Sequence, residues 1–194
     1  VESWYSWHSR DDYTNNIFSI RNTYYGRIDD NDVDKVDGNL NAFASYADFD
    51  DAGDIAEKSL SRLIASVNTE LDEKIKTLIF ESAKAIQAIP QPFRNSIDSK
   101  ESVAAMDKCM ELASALKNEL LPFVTNELSD SKYDAQLDAV AEQFVDAVVL
   151  PTYKELKEKN TALLESVNNF RTHPSNEAFE AACSAWINAR EPWE

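Results

Sequence analysis

The chain has 194 residues, of which 43% are hydrophobic, and a formal net charge of −16. That length and apolar content can bury a core without disulfide or metal staples, whereas the charge excludes a nucleic-acid partner, because phosphate binding needs Lys and Arg patches that release counterions. Glycine and proline are scarce and Ala, Leu, Glu, Lys and Asp dominate, which favours long helices over strands; the acidic surface serves solubility or concentrates cations.

Glu2 to Gly26 compresses ionisable, polar and aromatic residues into the start of a helix. Glu2, Ser6, His8, Ser9 and Asp12 precede or open it, and Tyr13, Ile17, Ile20 and Tyr24 fall at the four-three-four spacing of one buried face. Gly26 ends it, since glycine takes the left-handed conformation that closes a helix. The bland alternative is an aromatic anchor for the first helix, with Trp4, Tyr5 and Trp7 as its rings.

From Arg27 to Asp54 the helical period breaks, and Gly38 and Gly53 mark a long acidic loop with a short helical turn around Leu40, Phe43 and Tyr46. Asp48, Asp50 and Gly53 imitate a calcium loop, but Ala52 and Ser59 stand where acids are required. Thr69 then opens a helix with Leu71, Ile75, Leu78, Ile79, Ala83 and Ile86 on one stripe, ended by Pro90 and Pro92. Ser99 caps the next, whose stripe reads Val103, Met106, Met110, Ala113, Leu116, Leu120 and Val124, with Pro122 loosening its final turns.

Ser131 or Lys132 leads into a helix carrying Leu137, Val140, Phe144 and Val148. Because Tyr153, Leu156, Leu163, Val167 and Phe170 resume the stripe beyond Pro151, the pattern predicts one long bent helix and not two. Ser175 caps a last helix burying Phe179, Ala182 and Trp186. Five principal helices with short connections predict an all-α fold, an antiparallel helical bundle. Cys109 and Cys183 lack paired metal spacing and read as small buried hydrophobes or as a disulfide. No apolar run has the length of a membrane span, and Val1 begins neither a signal peptide nor a lipidation motif.

Glu2, His8 and Asp12 are the residue types of an iron, manganese or zinc site, with Glu2 and His8 the candidate metal ligands. No nucleophile elbow, phosphate loop or His-Glu-x-x-His helix is present, so the residues argue against enzyme chemistry.

The opening segment resembles the imelysin-like proteins, in which Glu-Ser-x-Tyr-Ser-x-x-Ser-x-x-Asp precedes Asn-Asn-Ile and an Asn-x-Tyr-x-Gly helix end. Here these are Glu2, Ser3, Tyr5, Ser6, Ser9, Asp12, Asn15, Asn16, Ile17, Asn22, Tyr24 and Gly26. The resemblance continues through Ser59 to Ile64, Leu71 to Ile79 and Ala88-Ile89-Pro90-Gln91-Pro92-Phe93. Beyond Asp130 the chain resembles the opposite end of the family. Tyr133 to Tyr153 is similar to the first helix of its amino-terminal bundle, and Ala185 to Glu194 to its Ala-Trp-x-x-Ala-Arg-x-Pro-Trp turn.

The resemblance therefore implies a circularly permuted order, with residues 1–130 similar to the carboxy-terminal domain and 131–194 to the start of the amino-terminal one. The family's Gly-x-His-x-x-Glu signature is absent from the chain, which looks like a fragment. A complementary polypeptide is expected to carry it, packing against Val1 to Asp12 and Ala185 to Glu194.

What the family is known for implies a component of bacterial iron uptake in the periplasm or as a cell-surface lipoprotein, working with other iron-uptake proteins. It would bind iron, another divalent metal or another ligand at the interface of two helical bundles. Glu2, Ser6, His8, Ser9, Asp12, Arg190, Glu191 and Glu194 are its candidate ligand-binding residues, with no catalytic residue among them. The alternatives are a metallopeptidase of the imelysin type, or a structural protein-docking module using the aromatic cluster. As a plain surface feature, Arg190 and Glu191 would be an ion pair contributing under about 1 kcal/mol.

Overall fold

A computed structural model describes residues 9–28, 55–190 and 192. Among the described residues helix is the only regular structure, as the all-α reading expects. Contacts divide the chain into two units, Val1–Phe144 and Val145–Glu194.

In the first unit, α1 (Ser9–Tyr25) ends where Gly26 takes a φ of +71°. α2 (Leu60–Val67) is capped by Ser59, whose hydroxyl accepts from the Arg62 amide at 3.1 Å. This short helix has no counterpart in the sequence reading, because eight residues hold too few turns to display a period. α3 (Thr69–Gln87) follows at once: Asn68 Oδ1 accepts from the Leu71 amide at 3.0 Å and so serves as its cap.

α3 is the central helix, packed against α1, α2 and α4 (Lys100–Ala115). All six residues of its sequence stripe are buried, Ile75 completely. From α1, Ile17 and Tyr24 are buried and Tyr13 and Ile20 pack on the same core. Ser99 caps α4 by accepting from the Ser102 amide at 3.1 Å.

The predicted stripe of α4 is wrong by one residue. Val103, Met106 and Met110 are exposed, at 49%, 58% and 64%, while Ala105 and Leu112 are buried and Cys109 packs against the core. The cause is a π-helical turn at Leu116–Leu120, between α4 and α5 (Leu121–Glu127). A π turn bonds i to i+5 and so absorbs one extra residue. After Leu112 and Leu116, an uninterrupted α-helix would turn Glu119 inward; instead Leu120 is buried and Glu119 reaches Lys74 at 2.7 Å. A constant period read back from Leu120 and Val124 crosses the slip and lands on the wrong face.

A second π turn, Val145–Val149, lies between α6 (Asp134–Phe144) and α7 (Leu150–Thr172). The two turns share a cause. Pro122 and Pro151 stand two residues past them, and each proline removes an amide and crowds the carbonyl four residues earlier, of Asn118 or Ala147, inside the turn. The backbone stays helical from Asp134 to Thr172 with no polar loop at Pro151, and the unit boundary falls within this run. Leu137 and Val140 of α6 pack on the first unit's core.

The second unit contains α7 and α8 (Asn176–Arg190), which pack together as a hairpin. Ser175 caps α8, accepting from the Ala178 amide at 3.1 Å. Phe179 and Trp186, expected to be buried, are 54% and 43% exposed. Ala178 and Ala189 occupy the buried face instead, because small side chains bring α8 close to α7. Cys183 is exposed and Cys109 half-buried, and both are free thiols.

Candidate functional site

Of the candidate residues, Glu2, Ser6, His8, Glu191 and Glu194 lie outside the described residues, as do Trp4, Trp7 and the acidic loop from Asp29 to Asp54. Ser9 and Asp12 stand in the first turn of α1 and are buried, at 2% and 5% exposure. Burial of a carboxylate there is helped by the helix N-terminus, whose free amides and dipole favour negative charge. Arg190 closes α8 in the second unit with its guanidinium over the Trp186 ring, 5.0 Å from the centroid.

The first turns of α1 are locked to the end of α3 by a closed circuit. Gln87 Nε2 donates to Thr14 Oγ1 at 3.0 Å, Thr14 Oγ1 donates to the Arg10 carbonyl at 2.9 Å, and Arg10 Nη1 donates to the Gln87 carbonyl at 3.4 Å. Thr14 is fully buried and Gln87 nearly so. A polar circuit of this kind helps to fix the rotation and the height of α1, and with them Ser9 and Asp12, although the buried Nε of Arg10 makes no hydrogen bond. The sequence gives no sign of it, since Thr14 and Gln87 lie 73 residues apart and neither type announces burial.

A second polar cluster lies deeper among the helices. Asp72, 2% exposed, accepts from Tyr24 Oη at 2.9 Å and Ser61 Oγ at 2.6 Å, and its Oδ2 pairs with Lys76 Nζ at 2.9 Å. Lys76 also reaches Glu73 at 2.6 Å. Burial first, and then the Asp72 charge and hydrogen bond, push the Tyr24 hydroxyl far above its ordinary value. With three donors on it, Asp72 is a bolt joining α1, α2 and α3 and is poorly suited to act as a general base. Of this cluster, only the i, i+4 spacing of Asp72 and Lys76 is visible in the sequence.

Among the described residues, no three His, Cys, Asp or Glu side chains gather as a metal site, and no helix is long and apolar enough to cross a membrane. Burial raises the pKa of Cys109, which weakens it as a nucleophile.

The sequence model of the imelysin family, a peptidase family by its description, matches residues 1–120 and 149–194. A solved structure described as an imelysin peptidase from Bacteroides ovatus is 55% identical, with a TM-score of 0.84. The match covers 100% of this chain and 48% of that one, so the chain spans about half the relative's length. No curated protein matches.

Proposed function

This chain belongs to the imelysin family, and from that membership we propose that it is a ligand-binding component of bacterial iron uptake, located in the periplasm or held at the cell surface as a lipoprotein. Its cargo is iron, another divalent metal or another ligand, taken up where two helical bundles meet. Glu2 and His8 would be the metal ligands from this chain, with Ser6, Ser9, Asp12, Arg190, Glu191 and Glu194 lining the site. A complementary polypeptide carrying Gly-x-His-x-x-Glu, in a permuted order of elements, would supply the rest.

The observation that carries this reading is the buried first turn of α1. Asp12 is a carboxylate only 5% exposed, on a helix locked by the Arg10–Thr14–Gln87 circuit, directly after the stretch that holds Glu2, Ser6 and His8. Carboxylate and imidazole are donor types that suit iron, and of the candidates Asp12 is the one held on a fixed helix. Thermal unfolding with and without ferrous iron tests it. Binding to the native state should raise the melting temperature by mass action, with a gain of about 2.7 kcal/mol at a hundredfold excess over Kd. No shift at saturating iron, or the same shift in a Glu2→Gln variant, would remove the metal reading.

The Bacteroides ovatus relative, described as a peptidase, favours a second reading, a metallopeptidase. Peptide cleavage that chelation abolishes, and that Glu2→Gln also loses, would put it first.

A further inference from the structure

The chain makes the same local break twice. Leu116–Leu120 and Val145–Val149 are both π turns of five residues, and a proline follows each at the same distance, Pro122 and Pro151. A proline offers no amide to the carbonyl four residues before it, and a π turn interrupts the α ladder ahead of it, so both places lack bonds that keep a helix stiff. What surrounds the two turns differs.

The first is braced. Ala115 and Leu120 are buried, Leu116, Phe123 and Val124 pack on the core, and Glu119 reaches across to Lys74 of α3 at 2.7 Å. The second has no such cover. Before it, Leu137 and Val140 pack on the first unit's core and Gln143 Nε2 donates to the Gly26 carbonyl at 2.9 Å, so α6 is held up to Gln143. From Val145 to the end of α7 no residue is buried, and Val145, Leu150 and Tyr153 are 43%, 57% and 65% exposed. Beyond the turn, α8 packs along α7 as a hairpin and stiffens it. A helix held at one end, stiffened at the other and weakened between them bends at the weak place.

We propose that Val145–Val149 is a hinge about which the α7–α8 hairpin swings as one body, whereas Leu116–Leu120, the same break under cover, is rigid. Hinges are a few residues at element ends that absorb a change in backbone angles, and the boundary between the chain's two units falls at this turn. α7 has 23 residues and is about 35 Å long at ~1.5 Å per residue. A bend of about 20° carries its far end about 12 Å. Arg190, the candidate binding residue on α8, travels with the hairpin. The proposal goes beyond the binding reading and needs neither iron nor a second chain.

Hydrogen exchange on the whole chain tests it first, with the covered turn as internal control. The amides of Val145–Leu150 are expected to exchange at least about tenfold faster than those of Leu116–Leu121, and faster than those in the middle of α7, which is no better buried. Equal rates at the two turns, or rates at Val145–Leu150 no faster than in the middle of α7, overturn the proposal.

Spin labels measure the swing. Cys183 is exposed on α8, and Met110→Cys in a Cys109→Ser background puts a second label on the outer surface of α4. The distance distribution between them is expected to be at least about twice as wide as for a reference pair inside the first unit, Met110→Cys with Glu70→Cys in a chain lacking both native thiols. Deleting Val148 together with Pro151→Ala removes the extra residue and returns the amide, and should narrow the distribution to the reference width. A parent distribution already that narrow overturns the hinge. One that stays broad in the straightened variant, with helical circular dichroism retained, puts the motion elsewhere and overturns it too.

Discussion

Asp72 and Lys76 form an ion pair of 2.9 Å between side chains 2% and 8% exposed, one turn apart on the central helix. Such a pair does little for net stability compared with an apolar replacement, but losing one partner strands the other. Asp72→Asn keeps an acceptor for Tyr24 and Ser61 while leaving Lys76 a buried cation, and is expected to cost about 3–5 kcal/mol. Urea denaturation measures it. A second change, Lys76→Met, should recover much of the loss; a single variant within about 1 kcal/mol of the parent would mean that Glu73 alone suffices for Lys76.

Alkali should loosen the same cluster. Burial lowers the Lys76 pKa, but its bonds and charge pairing with Glu73 and Asp72 outweigh that and raise it above the ordinary 10.5. Tyr24 is raised above 10.0 by burial and by Asp72. Both groups hold their protons more tightly folded than unfolded. Their stabilising contributions are complete below the unfolded values and are lost as pH climbs past them towards the folded ones. The melting temperature is expected to fall above about pH 10, and Tyr24→Phe should make that fall shallower. Equal alkaline slopes for parent and variant would exclude Tyr24 from it.

Gly26 tolerates an added methyl group poorly. Its φ of +71° disfavours any side chain, and a Cβ there would lie 3.2 Å from Gln143 Cγ and 3.3 Å from Ser59 Cβ. Its carbonyl also accepts from Gln143 Nε2 at 2.9 Å. Gly26→Ala is expected to destabilise by about 1–3 kcal/mol. Chemical denaturation with an unchanged midpoint would show that the turn can relax.

Thr14→Val removes a hydroxyl without changing the side chain's shape. It leaves Gln87 Nε2 without its acceptor, at an expected cost of about 1–3 kcal/mol. Hydrogen exchange should speed up selectively at the amides of Ser9 to Thr14, with α3 protected as before. Uniform acceleration would show that the circuit supports the whole unit and not the α1 entry.

The central helix was fully legible because its stripe is uninterrupted and its neighbours cover it: every one of Leu71, Ile75, Leu78, Ile79, Ala83 and Ile86 is buried. The stops and caps at Gly26, Ser99 and Ser175 were legible for a similar reason, since each depends on one residue's own chemistry. α4 was misread because periodicity carries no mark of where a π turn inserts its extra residue, although the proline two positions beyond it is a usable hint. Phe179 and Trp186 were misplaced because apolar spacing identifies a face without saying whether anything in the same chain covers it. For the candidate site, the position of Ser9 and Asp12 at a helix start could be read from the sequence. The circuit holding that start could not, because its members are brought together only by the packing of α1 on α3.

The slip at Leu116–Leu120 also has an oxidative consequence. By turning Ala105, Cys109 and Leu112 inward, it leaves both methionines of the chain, Met106 and Met110, on the outer surface of α4. Sulfoxide formation damages a protein mainly when the thioether belongs to a core or an interface. Here peroxide can add an oxygen to each sulfur without placing a polar group among the buried side chains. In the isolated chain, treatment that adds both oxygens by mass spectrometry should leave the melting temperature of the first unit where it was.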